Sequence, residues 1–232
     1  MLSTVADRSP VQCNRAISAC RQAGRWQEAL KTLRCWAHIQ RLPADVISYN
    51  ATISVCEAAA EWQQALTMLS DIHMKMLLSN VITWGGLLSA CQKATQWQKS
   101  LFMLSQIEVN AVEGNIITYN SAISACGQAA KYEHALALLK VTAAHSLEST
   151  IITYNSVLSA LEKAEEWQMA LHILSCFESL RLEADIISQN AAISACEKAA
   201  EWQHSLALLG QLQDKRIYPT IISYNAAISA CE

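Results

Sequence analysis

Apolar side chains recur along this chain at three- and four-residue intervals, and the whole pattern then restarts. "NIITYNSAISACGQAAKY" begins at Asn115, "TIITYNSVLSALEKAEEW" at Thr150 and "DIISQNAAISACEKAAEW" at Asp185, each 35 residues after the last. With the first Ile of "IITYN" as position 1, the units are 10–45, 46–80, 81–115, 116–150, 151–185 and 186–220, followed by a half unit, 221–232. Residues 1–9 form a short N-terminal lead, and the first unit has 36 residues, its extra one falling after Trp36.

Within a unit the pattern predicts two helices. Apolar residues at positions 4, 8 and 11 (Tyr119, Ile123 and Cys126, or Tyr224, Ile228 and Cys231) have helical spacing. The Ser or Thr at position 3 (Ser48, Thr83, Thr118, Thr153, Ser188, Ser223) stands where an N-cap is expected, so this helix should begin near position 4. A second helix should open at the aromatic of position 17: Trp26, Trp62, Trp97, Tyr132, Trp167 and Trp202. The stripe Trp62, Leu66, Leu69 marks its apolar face, and a large residue such as Ile72, Ile107 or Phe177 follows at position 27. One helical pair cannot bury both its faces, whereas stacked pairs can. The expected fold is therefore all-α: a right-handed superhelical solenoid of thirteen helices in 35-residue helix-turn-helix repeats. First helices should line its concave face and second helices its convex face.

Composition agrees. Hydrophobic residues are 52% and charged residues 16%, which argues against disorder. Six Gly and three Pro are too few for a sandwich or barrel of tight turns. No apolar run is long enough to span a membrane. Of nine cysteines, six (Cys20, Cys56, Cys91, Cys126, Cys196, Cys231) share position 11, which reads as a small buried packing residue rather than a disulfide or metal framework. Reduced thiols imply a reducing, intracellular compartment. The N-terminal "MLSTVADRSPVQ" lacks the apolar core of a secretory signal, and no clear organelle presequence is present.

The 35-residue period, "V/I-I-T/S-Y-N" opening each unit and "EKA..W..AL..L" following it, resembles the pentatricopeptide repeat family over roughly residues 10 to 232. The Trp, Leu-Gly and Tyr pattern of tetratricopeptide repeats is absent. The resemblance implies single-stranded RNA as partner, about one base per repeat. The selecting residues would be position 5 and the last of the unit, with position 2 flanking the base. Position 5 is Asn14, Asn50, Gly85, Asn120, Asn155, Asn190 and Asn225; the last residues are Asp45, Asn80, Asn115, Thr150, Asp185 and Thr220. An amide offers both donor and acceptor to a pyrimidine edge. By the family's rule Asn14 with Asp45, and Asn155 with Asp185, would read uridine, and Asn50 with Asn80 cytidine. Asn120 with Thr150 and Asn190 with Thr220 depart from the common pairs but suggest a pyrimidine. Gly85 has nothing to read with and makes its unit a spacer. RNA would run 5′ to 3′ along the chain as roughly U-C-N-Y-U-Y.

Plainer roles compete for the same residues. Asn near a helix start also serves as a cap or turn residue. The apolar residues at position 2 (Val11, Ile47, Ile82, Ile117, Ile152, Ile187, Ile222) could staple the helix entry instead of flanking bases. Tyr at position 4 and the aromatic at position 17 are read as packing residues.

Net charge is −3, which is unfavourable for phosphate binding. Over positions 4 to 13 of the six full units, Arg15, Arg21, Lys93, Lys163 and Lys198 face Glu57, Glu162 and Glu197, so that segment is +2 and the rest −5. Lys93, Lys163 and Lys198 share position 13, which the family turns to phosphate; a solvated helix end is the alternative. Binding should be weak and salt-sensitive.

No catalytic, cofactor or metal constellation is expected. The zinc deaminase, His-Glu-x-x-His, P-loop and dinucleotide patterns are missing, and the six His scatter. "TIISYNAAISACE" stops after one helix of a seventh unit, which reads as a fragment or an end that another protein covers. The expected function is RNA binding, pyrimidine-leaning, in organelle RNA processing, stability or translation, in a chloroplast or mitochondrion by resemblance. The alternative is a non-catalytic scaffold for protein partners.

Overall fold

The computed structural model describes residues 10–39, 45–214 and 217–231. The lead 1–9 lies outside the described residues. Helices occupy α1 (Pro10–Gln22), α2 (Trp26–Ile39), α3 (Val46–Ala58), α4 (Trp62–Met74), α5 (Val81–Lys93), α6 (Trp97–Val109), α7 (Ile116–Gln128), α8 (Tyr132–Ala144), α9 (Ile151–Lys163), α10 (Trp167–Ser179), α11 (Ile186–Lys198), α12 (Trp202–Asp214) and α13 (Ile221–Ser229). Among the described residues there is no strand. The fold is all-helical, with two helices to each repeat.

The second helices open at the position-17 aromatic, as their pattern predicts. The first helices do not open at position 4. From α3 onward they start at position 1, and the N-cap is the last residue of the preceding unit. Asp45, Asn80, Asp185 and Thr220 are extended at the cap and accept from the backbone N–H of Ser48, Thr83, Ser188 and Ser223 at 2.9, 3.1, 2.8 and 3.4 Å. Position 3 is thus the third helical residue and is buried in all six copies. In α5 and α13 its hydroxyl accepts in return from the cap's own N–H, closing a capping box.

Helix ends are equally regular. Positions 15 and 31 take positive φ in unit after unit, and nine of these residues are not glycine, among them Ala60, Thr95, Glu165 and Ala200. At the end of α3, the N–H of Ala60 donates to Glu57 O at 3.1 Å and that of Glu61 to Cys56 O at 2.9 Å, the paired bonds of a Schellman turn. A non-glycine residue there strains its Cβ by about 1 kcal/mol, offset by the carbonyls the turn satisfies.

The chain divides into two compact units between Ser121 and Ala122. In the first, α1 packs on α3 and α3 on α5, while α2 and α4 each pack on their own first helix and on the next. In the second, α9 packs on α11 and α11 on α13, with α10 and α12 bridging in the same way and α8 packing on α9. A first helix with neighbours on two sides buries two stripes. Ile53, Leu88, Leu158 and Ile193 at position 8 form one, and Val55, Ala90, Ala160 and Ala195 at position 10 the other. Cys56, Cys91, Cys126 and Cys196 are buried packing residues, Cys20 is half-buried and Cys231 exposed; all nine thiols are free. Burial pushes those four buried thiols up to about 11.

In the second helices the buried face keeps Leu69 and Ile72 of the expected stripe but is otherwise rotated away from it. Trp62 and Leu66 are half-buried, whereas Ala65, Met68, Leu69 and Ile72 are buried. Position 20 is always small and fully buried: Ala29, Ala65, Ser100, Ala135, Ala170 and Ser205. A small side chain there lets the backbones of paired helices approach. Tyr49, Tyr119 and Tyr154 are core residues as expected, and Tyr154 meets Phe177 edge-on at 5.4 Å; Tyr224 is exposed.

Candidate functional site

The exposed apolar residues of the first helices are not a staple. Val11, Ile47, Ile82, Ile117, Ile152, Ile187 and Ile222, all at position 2, are between 61% and 66% exposed. The other large apolar side chains of α3, α5, α9 and α11 are buried or half-buried, so one large β-branched residue left outside at the same place in every unit has no role in the core. Position 2 is the second residue of the helix, and position 5 lies three residues on, on the same side.

Positions 5 and last meet across a repeat. The Asn50 amide Nδ2 donates to Asn80 Oδ1 at 3.2 Å, Asn155 Nδ2 to both Asp185 oxygens at 3.2 Å, and Asn190 Nδ2 to Thr220 Oγ1 at 3.3 Å. Each pair is separated by 30 residues and joined because the last residue caps the next first helix. A third group completes the cluster. The position-3 hydroxyl of the following unit donates to the same asparagine's Oδ1: Thr83 to Asn50 at 2.7 Å, Ser188 to Asn155 at 2.6 Å and Ser223 to Asn190 at 2.6 Å. The sequence placed these residues as caps and gave them no part in a site.

Asp185 shows the electrostatics. Burial raises its carboxyl, but bonds from the Ser188 N–H, the Ser188 hydroxyl, the Asn155 amide and the Ile187 N–H outweigh it and hold the pKa below the ordinary carboxylate value. The group is therefore an ionised acceptor at neutral pH.

Grooves collect these side chains. In the second compact unit a groove of about 340 Å³ is lined by Ile152, Asn155, Asp185 and Ile187 together with Ser124 and Gly127. In the first, one of about 250 Å³ is lined by Asn50, Ile82, Gly85, Asn115 and Ile117, with Glu57 at its edge. Positions 2, 5 and last thus share one concavity in both. The first repeat departs from this. Asn14 Oδ1 is buried without a partner, and the Ser48 hydroxyl donates to Asp45 at 2.7 Å. Asn120 and Thr150 belong to different compact units.

The position-13 lysines are not simply presented to solvent. Lys93 pairs with Glu57 at 3.0 Å and Lys198 with Glu162 at 3.1 Å, each reaching back to position 12 of the preceding unit, and Lys163 donates to Gln128 O at 3.4 Å. These acids were counted in the sequence, but only the fold shows that they engage those lysines. Among the described residues no group of three or more His, Cys, Asp or Glu could hold a metal ion. Nor is any helix among them long and apolar enough to cross a membrane.

The sequence profile of the pentatricopeptide repeat domain matches residues 67–129, 102–164 and 172–232, and that of the single repeat matches 13–36 and 152–182. No curated protein sequence matches the chain. Among solved structures, the maize pentatricopeptide repeat protein PPR10 is similar over 96% of this chain and 32% of its own, at 20% identity and a TM-score of 0.72. PPR10 in complex with an 18-nt psaJ RNA element is similar over 98% and 38%, at 18% identity and 0.58. The pentatricopeptide domain of Arabidopsis thaliana protein-only RNase P 1, in complex with tRNA, is similar over 77% and 94%, at 13% identity and 0.66. The chain spans about a third of the length of PPR10.

Proposed function

The chain belongs to the pentatricopeptide repeat family, and from that premise we propose that it binds single-stranded RNA, with pyrimidines preferred where an asparagine occupies position 5. The observation that carries this reading is the repeated cluster of position 2, position 5 and the last residue: an exposed apolar side chain beside an oriented amide, formed again from unit to unit. An apolar residue can pack on a base face of any sequence, while the amide and its partner address the Watson–Crick edge. Asp185, an ionised acceptor, suits the imino N–H of uridine at the Asn155 site. Asn80 at the Asn50 site can also donate, which suits cytidine. Gly85 offers no edge to read, and its unit acts as a spacer.

The chain serves as a module that holds RNA, without chemistry of its own. The RNAs named with PPR10 and with the RNase P domain support the partner class, and family membership supports work in an organelle, in RNA processing, stability or translation. A scaffold for protein partners is the rival reading, favoured by the net charge of −3 and by the glutamates bound to Lys93 and Lys198. Fluorescence anisotropy with a labelled U/C-rich strand and with its purine complement separates the two. Preference for the pyrimidine strand, lowered by Asn155→Ala, is expected. Equal or absent binding of both strands would sink the RNA reading and favour the scaffold.

A further inference from the structure

We infer that the buried position-3 hydroxyls of Thr83, Ser188 and Ser223 are positioning residues that fix which edge of the Asn50, Asn155 and Asn190 amides faces the RNA. Each of these three reading sites is therefore completed by the unit that follows it. The inference rests on the reading of those asparagines as base-selecting.

An asparagine amide can present its oxygen or its nitrogen by a half-turn of the terminal group. Nothing in position 5 alone chooses between them. Here the choice is made by two partners of different character. The hydroxyl carries one proton, and in all three copies the asparagine Oδ1 is its shortest contact. The distances are 2.7, 2.6 and 2.6 Å, against 3.1, 2.8 and 3.2 Å to the capping residue. The oxygen is thereby held inward and Nδ2 toward the last residue. One Nδ2 hydrogen is used there, and the second is left to meet a base.

The third repeat supplies a natural control. Position 5 there is Gly85, with no oxygen to receive the bond. The hydroxyl of Thr118 donates instead to the backbone oxygen of Asn115 at 2.7 Å, while the Thr118 N–H still donates to Asn115 Oδ1 at 3.0 Å. The N–H bond to the capping residue thus forms whether or not position 5 holds an asparagine. Helix capping does not require the hydroxyl to point at position 5; where it does so, an amide is there to be held.

The three sites differ in how much they need the hydroxyl. Asp185 only accepts, so it keeps Asn155 Nδ2 facing it even without Ser188. Asn80 Oδ1 is held as an acceptor by the Thr83 N–H and does the same for Asn50, whereas the Thr220 hydroxyl can donate as well as accept, so a flipped Asn190 amide would still find a partner. Loss of the hydroxyl should relax selectivity at Asn190 and spare it at Asn155 and Asn50. A residue acting only on stability would lower affinity for every strand alike.

The test uses the full chain and labelled single-stranded RNAs differing only at the nucleotide facing one unit. At the Asn190 site, Ser223→Ala should cut discrimination among U, C and purine by about three- to tenfold, the value of one hydrogen bond. Ser223→Thr should restore it. At the Asn155 site, Ser188→Ala should change it less than about twofold. Circular dichroism checks that each variant is folded; if Ser223→Ala is not, Ser223→Cys, whose thiol donates only weakly, asks the same question. Unchanged discrimination in Ser223→Ala while Asn190→Ala abolishes it would overturn the positioning role alone. Unchanged discrimination in Asn190→Ala would overturn the base-reading function, and the positioning role with it.

Discussion

Replacing Glu57 and Glu162 by glutamine should strengthen RNA binding and make it more sensitive to salt. Both acids hold a position-13 lysine across a repeat, at 3.0 Å to Lys93 and 3.1 Å to Lys198. The pairs are partly exposed, so each contributes at most about 1 kcal/mol to the fold, and the loss should barely move the thermal midpoint. Glutamine keeps an oxygen for the Ser89 hydroxyl, which donates to Glu57 at 2.9 Å. Net charge goes from −3 to −1. In the double variant neither lysine has a carboxylate to leave, so two phosphate contacts at about 4 Å, about 0.7 kcal/mol each, should raise affinity by about tenfold at low salt. Each new phosphate contact steepens the slope of log affinity against log salt by about 0.7, so the double variant should be steeper by about 1.4. Anisotropy titrations over a series of KCl concentrations read both quantities. Glu108→Gln with Glu178→Gln, exposed acids on second helices, changes net charge equally and serves as the control. An unchanged slope in the double variant, or an equal change in the control, would refute the placement of Lys93 and Lys198 at the RNA.

Two further outcomes follow from packing and burial. A Cβ on Gly127 would stand 2.7 Å from the backbone oxygen of Ser156, so Gly127→Ala should lose about 1 kcal/mol of stability even after its better helix propensity is counted; Gly85→Ala, with nothing within 4 Å, should gain up to about 1 kcal/mol, and reversed signs in thermal unfolding would contradict the close approach. Cys56, Cys91, Cys126 and Cys196 have folded pKa values raised to about 11, so their stabilising contribution is complete below the ordinary thiol value and is lost as pH rises through about 11. Stability should fall over that alkaline interval, and the four thiols should resist alkylation at pH 8 until the chain is denatured; prompt labelling of the native protein would count against their burial.

The period of 35 residues made the helix count and the openings of the second helices legible, because Trp62, Trp97 and Trp167 mark them directly. The openings of the first helices were not. A unit drawn from its first isoleucine cuts the capping box in two, leaving Asp45 or Asn80 at the end of one unit and Ser48 or Thr83 inside the next. Either half is a good cap by residue type, and only the backbone shows which is extended. In the second helices Leu69 and Ile72 were read correctly as core, but Trp62 was given a place that Ala65 holds, because Trp62 is large and Ala65 small. A regular row of small residues signals close backbones, yet hydrophobic patterning gives it little weight. The candidate site residues at positions 2, 5 and last stood out as a repeated pattern. The hydroxyl at position 3 was not, because its role depends on a contact across 33 residues.

That contact also says where the array can be cut. A segment exchanged at the first isoleucine, 151–185 for instance, carries Asn155 and Asp185 but leaves Ser188 behind, so its site would be finished by a stranger's hydroxyl. Shifting the seam by three residues keeps each site whole: 49–83 carries Asn50, Asn80 and Thr83, 154–188 carries Asn155, Asp185 and Ser188, and 189–223 carries Asn190, Thr220 and Ser223. The interchangeable cassette of this protein begins at the tyrosine or glutamine of position 4.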